Sequence, residues 1–313
     1  MSMNHNSLYI HIGYPKTATT WLQRCVFPEL DGVSYLHFQD ERYGWLNELV
    51  QEHDFSFNVD NLRDKFNNSV QGLGKDNKYV ISWESLAGDV FTAGANAESL
   101  SRRLKDVFPE ASIIITIRNQ LDMVESIYRQ YIHEGGSLSI NDFLDLASPS
   151  PVRLAREHFF YDRIVDNYQT LFGVDRVKVL VYEDLKKDKA EFLRQLTGFV
   201  GVESNLSRIE ARCVSHVNVG MSAPSLFIAR ILNRLVYSHF NLAPLIPRWL
   251  VSARHVRFVL QRVVDPVLFR HLDGRSSLLN EDVYKEWSDY YRESNQRLQK
   301  KLGLKLDSYG YPV

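Results

Sequence analysis

The chain has 313 residues, 44% of them hydrophobic and 24% charged, with a formal net charge of −1. That balance suits one large α/β domain or two modest ones. It excludes a chain too polar to fold and a nucleic-acid binder driven by bulk positive charge. No run of 18 apolar residues occurs, so no membrane insertion is expected. The opening, Met1 to Ser7, is polar and does not read as a signal peptide. Cys25 and Cys213 are too few for a disulfide framework, Cys25 reads as a small core residue, and a reducing, cytoplasmic setting is the expectation.

Leu8 to Ile12 reads as a buried strand, stopped by Gly13, Tyr14 and Pro15. Trp21, Leu22, Cys25 and Val26 then recur at helical spacing. Lys16 lies in the loop between, with Thr17, Thr19 and Thr20 around it. A strand, tight loop and helix in that order aim backbone N–H groups and a positive helix end at one spot, which suits phosphate or sulfate. A Walker A loop needs its Lys directly after a second Gly, and no second Gly follows here.

Further along, Val33 to Phe38 is apolar apart from His37. Helices are expected over 43–50, 60–70, 97–108, 120–133, 154–172 and 189–200, with a short one over 141–147. Strands are expected over 78–83, 112–117 and 176–182. The stretch 203–222 is irregular and polar, a candidate mobile loop with Arg208, Arg212 and Asn218 available to close over a ligand. Three more helical stretches fill 224–302.

Four buried strands, each followed by helix, imply an α/β fold: a single domain with a central parallel sheet and helices on both faces. The expected division is a core over 1–202, the loop over 203–222 and a helical C-terminal extension over 223–313 of the same 1–313 domain. Ligands bind outside the C-terminal strand ends in such sheets. That selects 13–21, 83–86, 118–126 and 182–184. Arg118 ends the third expected strand, and Ser126 stands two turns into the next helix, roughly 10 Å from its start. Such a pair could grip one phosphate, the arginine bidentately.

Tyr14-Pro-Lys-Thr-Ala-Thr-Thr-Trp21 resembles the 5′-phosphosulfate loop of PAPS-dependent sulfotransferases, whose pattern is close to Y-P-K-[ST]-G-T-T-W. Ala18 stands where that pattern has Gly. Ile117-Arg-Asn-Gln-Leu-Asp-Met-Val-Glu-Ser126 resembles the family's 3′-phosphate motif, R-N-P-x-D-x-x-x-S, with Gln120 in place of Pro. Val179 to Leu185 and Gly198-Phe-Val-Gly201 resemble a third family element. Tyr291, Asn295, Leu302-Gly303 and Tyr309-Gly-Tyr-Pro312 look like the end of bacterial members.

The resemblance implies a co-substrate, 3′-phosphoadenylyl sulfate (PAPS), whose sulfuryl group passes to an acceptor hydroxyl or amine, leaving the 3′,5′-bisphosphate. It implies that Lys16 stabilises the leaving phosphate and that Thr17, Ala18, Thr19 and Thr20 hold it. It further implies that Trp21 and Tyr182 flank the adenine and that Arg118 and Ser126 bind the 3′-phosphate. A base for the acceptor proton falls to Glu84 first and His37 second. The ten histidines show no paired ligand spacing, so no metal is expected.

Tyr43, Trp45, Trp83, Tyr128 and Tyr131 lie in stretches suited to an acceptor pocket. A faint likeness around His37 to glycan-modifying members favours a carbohydrate acceptor over another small molecule. A nucleotide kinase and a non-catalytic nucleotide-binding module are the alternatives. Oligomeric state leaves no sequence signal.

Overall fold

The computed structural model describes residues 7–74, 78–145, 152, 154–213, 221–269 and 277–313. Five strands form one parallel sheet: β1 (Leu8–His11), β2 (Val33–Leu36), β3 (Lys78–Ser82), β4 (Ser112–Ile117) and β5 (Val177–Val181). Their order is β2-β3-β1-β4-β5. Four stand where the apolar runs place them. β2 is additional: it lies at the sheet edge and only Leu36 of its four residues is buried, so its pattern carries little hydrophobic signal.

Successive strand side chains point to opposite faces, and the two faces build two cores. Ile10, Ile12, Ile81, Ile113, Ile115 and Val179 enter the larger one, which runs from Leu8 to Tyr311 and includes Trp287 and Leu298 of the helix Glu281–Leu302. Tyr9, Val80, Ile114 and Leu180 enter the smaller one. That face is covered by the helical segment from Thr19 to Glu29 and by the helices Lys189–Val200 and Leu206–Arg212. Both faces are therefore shielded, as a parallel sheet requires. The chain runs outward from β1 to β2 and β3, then crosses to β4 and β5. The reversal opens a crevice between the C-terminal ends of β1 and β4.

Three expectations need correction. The stretch 154–172 is not one helix: a 3-10 turn, Arg156–Phe159, precedes an α-helix, Tyr161–Phe172. Phe159, Phe160 and Tyr161 are all buried. Three consecutive residues cannot share one narrow helix stripe, and the backbone breaks at Phe160.

The 203–222 stretch is not wholly irregular, because Leu206–Arg212 is a helix capped by the Asn205 side chain on the Arg208 N–H. Arg208 pairs with Glu29 and Asp31, and Arg212 with Glu29, so both arginines are engaged by acids. Asn218 lies outside the described residues.

The cysteines are joined. Cys25 and Cys213, 188 residues apart in sequence, form a disulfide with a Cα–Cα distance of 5.7 Å. It ties the helical segment after the Lys16 loop to the helix Leu206–Arg212. Disulfides persist in oxidising compartments, so the cysteines no longer support a reducing setting. Among the described residues no helix is long and apolar enough to cross a membrane.

Candidate active site

The site is built on His11, at the C-terminal end of β1. It is fully buried, with Nδ1 2.8 Å from Ser82 Oγ on β3 and Nε2 3.0 Å from Thr116 Oγ1 on β4. Burial pushes its pKa down to about 3, so the ring is neutral at physiological pH. One side chain thus locks the three central strands beneath the loop. A Cβ on Gly13 would lie 2.4 Å from His11 Nε2, which explains a glycine where the loop begins. In the sequence His11 is simply the one polar-ring residue within the run Leu8 to Ile12. Its polar partners lie 71 and 105 residues away.

The loop then turns tightly. Thr17 is buried and its hydroxyl donates to the Tyr14 carbonyl at 2.6 Å, so it holds the loop's own backbone. Tyr14 is buried too and donates to the His158 carbonyl at 2.7 Å. Lys16 and Ala18 have φ of 65° and 62°. Left-handed residues in a loop turn successive N–H groups into an anion-binding concavity.

Ala18 pays for its Cβ in that conformation, which costs an L-residue roughly 1–2 kcal/mol. Ala18→Gly is therefore expected to raise unfolding stability by about 1 kcal/mol, read from the denaturant midpoint. A lowered midpoint would contradict the left-handed loop.

Thr19 donates its hydroxyl to a Glu84 carboxylate oxygen, and Gln23 Nε2 lies 3.5 Å from the other. Glu84 opens a short 3-10 turn directly after β3. Lys16 is half-buried. Burial lowers its pKa, Glu134 and Glu84 oppose that, and Arg257 and Arg118 add to it. Thr20 is exposed. Trp21 is half-buried, its ring 6.4 Å from that of Phe192.

Arg118 faces the loop across the crevice. Its Nη1 donates to the Lys16 carbonyl at 3.2 Å, and its guanidinium sits 5.0 Å from the Tyr182 ring centre. Its Nε is buried without a partner, and its contact with Asp122 is long, at 3.8 Å. Ser126 is half-buried on the helix Gln120–His133.

Residues far along the chain hold Arg118 from behind. Tyr161 donates to the Arg118 carbonyl at 2.8 Å, and the Asn119 N–H donates to Glu183 at 3.1 Å. Asn119 Nδ2 donates to the Gly310 carbonyl at 2.7 Å, and Gln120 Nε2 to Asn295 Oδ1 at 2.7 Å. Tyr311 donates to Glu183 at 2.9 Å. The terminal pattern singled out in the sequence is thus a brace for the 118–126 motif.

Strand order sets the sequence of groups along the edge: His37, Glu84, the Lys16 loop, Arg118, Tyr182. Lys16, Glu84, Arg118 and Tyr182 come together, and His37 stands apart. With neighbouring strands about 4.8 Å apart, β2 lies roughly 10 Å from β1. The His37 Nδ1 accepts from the Gln39 N–H at 3.1 Å, and its ring stacks on Phe38, which stacks on Trp83. Burial and then Arg24 lower the His37 pKa. Of the aromatics assigned to an acceptor pocket, Tyr43, Trp45, Tyr128 and Tyr131 are instead buried in the larger core. Tyr128 and Tyr131 are spaced as on one helix face, and a core face and a pocket wall look alike in sequence.

The chain is similar to several solved structures. A sulfotransferase from Alicyclobacillus acidocaldarius is 18% identical with a TM-score of 0.48, over 72% of this chain and 92% of that one. A mouse sulfotransferase complexed with PAP is 17% identical with a TM-score of 0.42, over 96% and 83%. A sulfotransferase domain from the curacin biosynthetic pathway is 14% identical with a TM-score of 0.43, over 80% and 95%. No curated protein matches the chain. The sequence model of the sulfotransferase family matches residues 10–205, from β1 to beyond the helix Lys189–Val200 and through the stretches 14–21 and 118–126, and over that span the chain belongs to the sulfotransferase family.

Proposed function

We propose that this sulfotransferase moves the sulfuryl group of PAPS to a hydroxyl of a carbohydrate or other small molecule and releases the 3′,5′-bisphosphate (PAP). The hydrogen bond from Arg118 to the Lys16 carbonyl carries this reading. It joins two phosphate motifs 102 residues apart across the crevice where such sheets bind ligands. The buried, unpartnered Arg118 Nε supports it, since a donor buried without a partner is costly unless a ligand supplies one.

In this reading the loop amides of 16–20 and the Lys16 ammonium receive the 5′-phosphosulfate, and Arg118 with Ser126 receives the 3′-phosphate. Thr19 and Glu84 act as a pair. Tyr182, stacked on Arg118, and Trp21 border the nucleoside. The acceptor oxygen forms a bond to sulfur as the bond from sulfur to the bridging phosphate oxygen breaks. The acceptor proton passes to the Glu84 carboxylate, and Lys16 meets the charge that grows on the bridging oxygen. The whole chain, 1–313, works as one domain in this scheme, supported by a core running from Leu8 to Tyr311.

A thermal shift series tests it. Ligand that binds only the folded state adds ~2.7 kcal/mol at a hundredfold excess over Kd. PAP without metal is expected to raise Tm, and ATP with Mg²⁺ to do so weakly or not at all. A shift confined to Mg-ATP would make the chain a phosphotransferase instead.

Glu84 is preferred as base because it adjoins Lys16 and is held by Thr19. Glu84→Gln is expected to lower kcat by about 10²–10⁴-fold, the span of general-base contributions. His37→Ala should cost less than about tenfold. A larger loss in His37→Ala than in Glu84→Gln, in steady-state kinetics, would reverse the assignment.

A further inference from the structure

A cavity of about 980 Å³ opens where the helix that follows Arg118 ends. Its walls come from the end of the helix Gln120–His133 and from residues 237–262. Arg248, Arg254, Arg257 and Arg262 line it, and Glu134 is the single acid among the described lining residues. None of the four arginines forms an ion pair with a described residue. Arg248 lies over the Tyr237 ring, and Arg257 donates to Gln261 at 3.4 Å. Elsewhere this chain pairs its arginines with acids repeatedly, as at Arg103, Arg208 and Arg297. His133, also in the wall, has a buried Nε2 with no partner. The helix Gln120–His133 joins the cavity to the candidate site, with Arg118 just before its first turn and His133 and Glu134 at its end in the cavity wall, and the charges of Glu134 and Arg257 are felt at Lys16.

Four guanidinium groups without an ion pair among the described residues, set around one cavity with a single described carboxylate, leave it net positive and favour an anion. Arginine's fork matches carboxylate and phosphate oxygens. The volume is that of a ligand pocket for a molecule well beyond a single ion. Phe258, exposed in the same wall, offers one apolar contact.

We infer that this cavity is the acceptor subsite and that the acceptor carries its own anionic group, a phosphate or carboxylate, besides the hydroxyl that is sulfated. The inference rests on the PAPS reading above, and it narrows the acceptor from any hydroxyl to an acidic one. Arginines at the far wall hold the acceptor's anion, and the hydroxyl turns toward Lys16 and Glu84. Glu134 repels an anion that slides too close to Lys16 and so sets the acceptor's direction.

The test is calorimetric titration of the full chain, with and without PAP. The probes are glucose 6-phosphate and glucuronate against glucose, and phosphatidylinositol phosphate vesicles against phosphatidylcholine vesicles. At least tenfold tighter binding of anionic probes is expected, weakening with salt as a screened interaction does. The double variant Arg254→Gln/Arg262→Gln should lose at least tenfold of that affinity and keep its PAP affinity within about twofold, because neither residue belongs to the cofactor side. Preference for the soluble anions identifies an acidic saccharide, and preference for the charged vesicles identifies a lipid headgroup. Either result supports the inference. Equal binding of anionic and neutral probes overturns it. An equal loss of PAP affinity in the double variant also overturns it, since the arginines would then serve the cofactor. Wild-type protein that takes the anionic probes but not PAP overturns the donor reading and the acceptor assignment with it.

Discussion

Lys16→Ala should lower kcat by about 10²–10³-fold while leaving PAP binding largely intact. That is the loss seen when one preorganised group facing developing charge is removed from an active site. The bridging oxygen gains charge only as the sulfuryl group departs. A cation there therefore acts on the transition state more than on the bound donor. Lys16 is suited to this by its place: half-buried, in the field of Glu84 and Glu134, and on a left-handed backbone that commits the side chain to one side of the loop. Lys16→Met keeps the aliphatic stem and removes only the charge, and should lose as much activity. A fall of less than tenfold in both variants, with circular dichroism unchanged, would remove Lys16 from the reaction.

Arg118→Ala should weaken PAP binding by about 10²–10³-fold. Hydrogen bonds to charged groups contribute ~1.5–3 kcal/mol each, and a bidentate grip makes two. Part of the loss is indirect, because Arg118 also holds the Lys16 carbonyl and stacks on Tyr182. Comparison with adenosine 5′-phosphate separates the two parts. Wild-type protein should prefer PAP strongly, and Arg118→Ala should bind both ligands alike. Equal losses for both would make Arg118 a support of the loop rather than a 3′-phosphate ligand. Arg118→Lys keeps the charge without the fork and should fall between. Asp122→Asn should change little, since its carboxylate is more than half exposed and 3.8 Å away.

By itself, the sequence determined four of the five strands, β1, β3, β4 and β5, most of the helices, the stretches 14–21 and 118–126 as site-forming motifs and the positions of Lys16, Glu84, Arg118 and Tyr182 at strand ends. The reason is local. A strand buried on both faces must be written as a continuous apolar run, and a phosphate loop must follow it within a few residues. The place of Ala18 in that loop was legible for the same reason, while its left-handed backbone, φ 62°, came from the structure.

Only the tertiary structure decided what depends on partners distant in sequence. The half-buried edge strand β2 takes its identity from pairing with β3. His11 becomes the lock under the loop because Ser82 and Thr116 arrive beside it. Cys25 becomes half of a disulfide because a polar stretch folds as a helix against it. The arginines at 248, 254, 257 and 262 are spread along the chain with no motif around them. They became one basic cavity only when the end of the helix Gln120–His133 was set against them, since charge is felt through space and sequence records only order.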